Sequence, residues 1–259
     1  MHNAAIDERG RVFTWGSGDA GQLGQGYHGG GGKETIPSPC QVTVLAAPHL
    51  GKMSQVACGA QFTACVSARG ELHVWGFGQY LYSTIDGNFA YEPEKIQLPL
   101  KVKSVACGRA HILALTEGRD VYCWGEGKEG QLGHGRTTPC NFPRIVLEGK
   151  KIVQVECGRY HSVALNTCVC PSREDTTHTT AGSSFSCVCV CGEKGRHRNL
   201  QLTADQCRDG LRCVAWPTRY GVLYTWGCGE SGQLGYAPAH LPRPINPRAA
   251  RTRAAPLPH

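Results

Sequence analysis

No run of 18 or more apolar residues occurs in the 259-residue chain. A membrane-crossing helix needs about 20, so no membrane partner is expected. Residues 1–10 hold Asp7, Glu8 and Arg9 and no apolar stretch, so a secretory leader is not expected there. Apolar residues do not recur with a 3.6-residue period, which excludes a helical fold. Glycines keep no strict period of three, which excludes collagen. Catalytic signatures are missing too. There is no His-Glu-x-x-His, no phosphate-loop Gly-Lys-Ser/Thr and no paired-carboxylate constellation. No histidine stands at fixed spacing from a nucleophile and an acid, as a triad requires. The chain therefore reads as a non-enzyme with no catalytic residue, no metal site and no cofactor. A basic folded face is also lacking. Net charge is +7, but the excess gathers in the tail, where Arg243, Arg248, Arg251 and Arg253 meet no acid. A nucleic-acid binder concentrates basic residues on its folded surface, so direct nucleic-acid contact is not expected.

Glycine and cysteine are abundant. The 34 glycines are nearly twice the usual share of about 7%. The 15 cysteines suggest a disulfide framework, but their placement argues against one. Cys168, Cys170, Cys187, Cys189, Cys191, Cys207 and Cys213 crowd one segment, and the others are scattered singly. Scattered cysteines in a reducing compartment are small buried hydrophobes. The expected location is cytoplasmic, nuclear or both.

A unit of about 50 residues repeats. Trp-Gly recurs at Trp15, Trp75, Trp124 and Trp226, and Cys-Gly at Cys58, Cys107 and Cys157. Each unit keeps one internal order. A short alternating run, such as Val102-Lys-Ser-Val-Ala-Cys107, leads to Cys-Gly. Four residues after the cysteine stands His111 or His161, with Phe62 in the earlier unit. A second apolar run, a turn and a third run ending in Trp-Gly follow. A glycine-rich loop then closes in Gly-Gln-Leu-Gly at 21–24, 130–133 and 232–235. Runs of four to seven residues bounded by Gly and Pro are strands. Three or four per unit make a small antiparallel sheet, which buries its faces only by packing on copies of itself. The expected fold is all-β: a partial β-propeller of about 50-residue antiparallel blades.

Cys-Gly-x-x-His, then a Leu-rich strand, then Val-Tyr-x-Trp-Gly-x-Gly-x-x-Gly-Gln-Leu-Gly, resembles the repeat of the regulator of chromosome condensation family. The resemblance covers residues 1–166 and 219–235 and implies a seven-bladed propeller. About four units do not close seven, so an open arc is expected, prone to aggregate or to pair. Within that family, light sensing uses clustered tryptophans; this chain has none beside its Cys-Gly-x-x-His positions, so that role is not implied.

The pattern breaks in three places. Met1-His2 sits where Cys-Gly-x-x-His should end, so the first unit lacks its first strand. Residues 167–218 interrupt another unit as an irregular, Cys-rich insertion, and the repeat resumes over 219–235. Cys187-Val-Cys-Val-Cys191 is what a TG dinucleotide repeat encodes. The segment reads as a retained intron or as a genuine surface insertion. Residues 236–259 form a Pro/Ala/Arg tail expected to be disordered.

Gly16-Ser-Gly-Asp-Ala-Gly21, with its counterparts from Gly125 and Gly227, matches a dinucleotide fingerprint. That fingerprint needs a following helix, and here Gln-Leu-Gly, glycine or proline follows. The glycines read as turn formers, the tryptophans as packing between blades, and His111 and His161 as hydrogen-bonded blade-end groups.

Loops at propeller ends carry recognition. The expected function is a non-enzymatic protein–protein interaction module, with Asp19, Arg109, Lys128, Glu129 and Arg159 as candidate partner-binding residues. The family resemblance names two kinds of protein partner, a small GTPase and a ubiquitin-pathway component. The alternative it implies is guanine-nucleotide exchange on a Ran-type small GTPase with chromatin association, a mechanism that leaves no catalytic motif.

Overall fold

The computed structural model describes residues 1–26, 35–78, 89–166, 213–218, 221–230 and 233–234. Strands form where the alternating runs stand, and they assemble into four antiparallel sheets, each one blade. Blade 1 holds β1 (His2–Ile6), β2 (Val12–Ser17) and β3 (Thr35–Gln41). Blade 2 holds β4 (Met53–Cys58), β5 (Phe62–Ser67), β6 (Leu72–Phe77) and β7 (Phe89–Ile96). Blade 3 repeats this with β8 (Val102–Cys107), β9 (His111–Thr116), β10 (Val121–Gly125) and β11 (Cys140–Val146). Among the described residues the only helical turn is a short 3-10 segment, Thr43–Ala46.

Blade 4 has β12 (Ile152–Cys157), β13 (His161–Asn166), β14 (Cys213–Thr218) and β15 (Gly221–Gly227), in the spatial order β12-β13-β15-β14. In blades 1 to 3 the outer strand follows the Trp-Gly loop. In blade 4 that place belongs to β14, which comes before β15 in the chain and pairs along it from Cys213 opposite Trp226 to Thr218 opposite Gly221. Residues 213–218, read in sequence as the end of an irregular insertion, are therefore strand. The earlier insertion and the tail lie outside the described residues.

The blades pack face to face. β1 lies on β4, β4 and β5 on β8, and β8 and β9 on β12. The alternation of side chains along a strand is what serves two interfaces at once. In β9, Ile112 and Ala114 join a buried cluster with Phe62, Val66 and Trp75 of blade 2. Leu113 and Leu115 join a second with Ile152, Val155 and Trp226 of blade 4. Every side chain of β5 and β9 is buried as a result, whereas β13 alternates, with Ser162 and Ala164 buried and the others half-buried. Trp75, Trp124 and Trp226 are fully buried, as the expected packing between blades requires. Trp15 differs: it is half-buried, because its position in blade 1 faces away from blade 2.

Candidate protein-interaction face

A polar junction, repeated twice, locks the blades and sets their loops. His2 Nε2 lies 2.7 Å from Thr63 Oγ1 of the next blade. Thr63 Oγ1 donates to the Gln22 carbonyl at 2.8 Å, and Trp75 Nε1 donates to the same oxygen at 2.9 Å. Between blades 3 and 4, His111 Nε2 lies 3.1 Å from Ser162 Oγ. Ser162 Oγ and Trp226 Nε1 both donate to the Gln131 carbonyl, at 2.8 Å each. Because each hydroxyl spends its hydrogen on the carbonyl, the histidine donates from Nε2 and is the neutral tautomer with a bare Nδ1. His111 Nδ1 is accordingly buried without a partner. Burial pushes the pKa of both His2 and His111 down to about 4. His161, the third repeat histidine, is less buried and shifted down by the same cause.

Gln22 and Gln131 belong to Gly-Gln-Leu-Gly, so that motif is the acceptor for the next blade's tryptophan. Gly24 and Gly133 sit at φ 67° and 70°, and a Cβ on them would reach within 2.7 Å of Trp75 Nε1 and 2.9 Å of Trp226 Nε1. Leu23, Leu132 and Leu234 of the same motif are buried. At the junction of blades 2 and 3 the histidine–hydroxyl pair is exchanged for an apolar one. Phe62 replaces the histidine and Ile112 the Ser or Thr, and both lie in one buried cluster. Two substitutions across one interface thus exchange a hydrogen bond for apolar packing.

The strand order brings two sets of loops to one end of the propeller. The first set is the Cys-Gly-x-x-His loops, which lean on one another. Ala60 N donates to Arg109 O, and Arg109 N donates to Arg159 O, both at 3.1 Å. Gly59, Gly108 and Gly158 are required there because a Cβ would collide with the ring of Phe62, His111 or His161. The second set starts at Trp-Gly and is bolted to the first. Phe77 N donates to Gln61 O (2.7 Å), Glu126 N to Ala110 O (2.7 Å) and Cys228 N to Tyr160 O (2.9 Å). Among the described residues no helix follows the Gly-x-Gly-x-x-Gly runs, and Gly21 and Gly130, which close two of them, turn at positive φ instead.

All five candidate partner-binding residues are exposed on this end. Asp19 Oδ1 accepts from Ser17 Oγ (2.6 Å) and Gln22 Nε2 (3.0 Å), and these bonds hold its carboxyl below the usual range. Asp19 thereby braces the Gln22 loop. Lys128 Nζ lies 3.7 Å from Glu126 Oε1, and the Glu129 amide donates to Gln131 Oε1 at 2.9 Å. Arg109 and Arg159 are brought together over Tyr160, with guanidinium carbons 5.7 and 5.0 Å from its ring centroid. Sequence reasoning missed Tyr160. Its signal was an aromatic inside Cys157-Gly-Arg-Tyr-His161. The Gln22 and Gln131 carbonyls were also missed, since every residue carries a carbonyl and a motif cannot mark one as special.

Of the Cys-Gly cysteines, Cys107 and Cys157 pack against the core, whereas Cys58 is exposed, contrary to its expected burial. Burial pushes the Cys107 and Cys157 thiols up, so they stay protonated and weakly reactive. Among the described residues no three His, Cys, Asp or Glu side chains cluster as a metal site would need. Cys168, Cys170, Cys187, Cys189 and Cys191 lie outside the described residues.

Interlocking antiparallel blades with Gly-Gln-Leu-Gly acceptor loops define a propeller built of repeats. Residues 9–66 and 120–165 match the Regulator of chromosome condensation (RCC1) repeat, and residues 102–131 match a second form of it. The chain belongs to the regulator of chromosome condensation repeat family. It is 30% identical over 255 residues to the human E3 ubiquitin-protein ligase HERC2, covering 90% of this chain and 5% of that protein. It is 31% identical over 247 residues to the ultraviolet-B receptor UVR8 of Arabidopsis thaliana, covering 90% of this chain and 53% of the receptor. The chain thus spans about half of the receptor and a small fraction of the ligase. Among solved structures, Prp20p of Saccharomyces cerevisiae superposes with a TM-score of 0.56 at 26% identity, over 64% of this chain and 40% of that one. That structure was reported with its binding properties to Gsp1p and histones. Human WBSCR16 gives 0.55 at 27% identity, over 63% and 42%.

Proposed function

We propose that this chain is a non-enzymatic protein-binding module, and that it binds through the end of the propeller carrying the Cys-Gly-x-x-His and Trp-Gly loops. The observation that carries this reading is the convergence of Asp19, Arg109, Lys128, Glu129 and Arg159, all exposed, on loops tied to one another by backbone hydrogen bonds. Rigid loops lose little entropy on binding, and that favours recognition. The relatives support it, since they range from ubiquitin ligases to a photoreceptor and share the repeat rather than one chemistry. We place this work in the cytoplasm, the nucleus or both.

The second reading is guanine-nucleotide exchange on a Ran-type small GTPase with chromatin association. The likeness to Prp20p, described with binding to Gsp1p and histones, favours it. One experiment separates the two. Labelled GDP is released from Ran with and without catalytic amounts of the chain, and immobilised chain is used to capture proteins. A binding module captures a saturable partner and leaves GDP release unchanged. Accelerated release establishes the second reading instead, and no capture with no acceleration overturns both.

A further inference from the structure

We infer that Arg109, Tyr160 and Arg159 form a preset clamp for carboxylates, and that it takes an acidic peptide segment of a protein partner. This deepens the proposed function and rests on it. The two guanidinium groups flank one ring at 5.7 and 5.0 Å. Arg109 Nη1 donates to the Tyr160 hydroxyl at 3.2 Å. The 3.1 Å backbone bond from Arg109 N to Arg159 O fixes the two loops side by side. Ion pairs among the described residues join Arg11 to Asp7, Lys95 to Glu71 and Lys128 to Glu126. Among the described residues neither clamp arginine has a carboxylate partner. A guanidinium against an aromatic face is restrained yet keeps its in-plane N–H donors, which suit the two oxygens of a carboxylate. The Tyr160 hydroxyl accepts from Arg109, so its own hydrogen is free for an incoming acceptor.

The surroundings select the kind of anion. Asp19, Glu126, Glu129 and Glu230 lie on loops at the same end. Their charges repel a continuous polyanion such as nucleic acid or an anionic bilayer. A short acidic segment can seat one or two carboxylates between the arginines without running along those acids.

Fluorescence anisotropy of the full chain with a labelled Glu/Asp-rich peptide of about a dozen residues tests the clamp. Arg109→Gln and Arg159→Gln are each expected to weaken binding about tenfold, since a charge-assisted hydrogen bond carries roughly that much. Arg109→Lys and Arg159→Lys are expected to weaken it comparably, because lysine keeps the charge and loses the stacked fork. Arg69→Gln, at the opposite end, leaves binding unchanged. Melting curves check that each variant folds. Full binding by the lysine variants would reduce the effect to general charge and overturn the clamp. Tighter, arginine-dependent binding of duplex DNA or of phosphatidylserine vesicles would overturn the peptide assignment. If the chain captures a protein partner and the arginine variants capture it equally, the clamp falls while the binding-module reading stands. If neither peptide nor partner binds, both fall.

Discussion

Arg119 occupies, at φ 68°, the turn position that Gly10 and Gly70 fill at φ 79° and 81° in the preceding blades. All three residues offer their carbonyl to the first strand of the next blade, at Met53, Val102 and Ile152. The turn geometry is needed, and arginine adopts it at a cost of about 1–2 kcal/mol. Glycine removes that strain but has more freedom to lose on folding. Arg119→Gly is therefore expected to raise stability by about 0.5–1 kcal/mol in denaturant unfolding, and a loss of stability would contradict this reading of the turn. The repeat histidines make a second prediction. His111 titrates at about 4 when folded and near 6.5 when unfolded, so the unfolded chain takes up the proton first. Stability is full above about pH 6.5 and falls as pH drops toward 4, by on the order of 3 kcal/mol from His111. His2 acts in the same direction. Chemical unfolding at pH 7, 6, 5 and 4 measures the slope, and His111→Phe is expected to flatten it.

Between elements, the unit of stability is the junction of two blades. Blades 3 and 4 use His111, Ser162 and the Gln131 carbonyl, while blades 2 and 3 use Phe62 and Ile112. The polar junction should convert to the apolar one only when both partners change. His111→Phe and Ser162→Ile are each expected to cost about 1–3 kcal/mol. The double variant should recover at least about 1 kcal/mol of the summed loss in a double-mutant cycle, and strict additivity would show that the two sites do not form one junction. Much of this level was legible in the sequence. The strands follow from alternating runs between glycines, and the blades from the spacing of Trp-Gly and Cys-Gly. The replacement of His by Phe62 was visible as well. Its partner Ile112 was not, because the pairing runs across blades and leaves no local signal. β14 was hidden for a related reason. Cys213–Thr218 lies in a segment without repeat motifs, and only pairing along β15 makes it an outer strand.

At the scale of the molecule, the described residues form one buried cluster that runs through blades 1 to 3 and a second that joins blades 3 and 4, so blade 3 contributes to both. Energy is therefore concentrated where a blade has neighbours on both faces. Trp75 is fully buried and hydrogen-bonded to Gln22 O, so Trp75→Ala is expected to cost about 3–5 kcal/mol. Trp15, at the same repeat position, is half-buried and should cost under about 2 kcal/mol. Equal losses in thermal unfolding would mean that burial between blades is not what the repeat tryptophan supplies. The same stacking delivers the loops to one end. Sequence reasoning placed Asp19, Arg109, Lys128, Glu129 and Arg159 in turns. The strand order gathers those turns at one end, and the lateral bonds between loops put Arg109 and Arg159 around Tyr160. The central claim is that this end is the binding face. Site-specific photo-cross-linking tests it most directly, with benzoylphenylalanine placed at Lys128 on the loop end and, separately, at Arg69 on the opposite end. The account predicts a discrete protein adduct from position 128 and none from position 69. Adducts from position 69 alone, or equally from both, would contradict it.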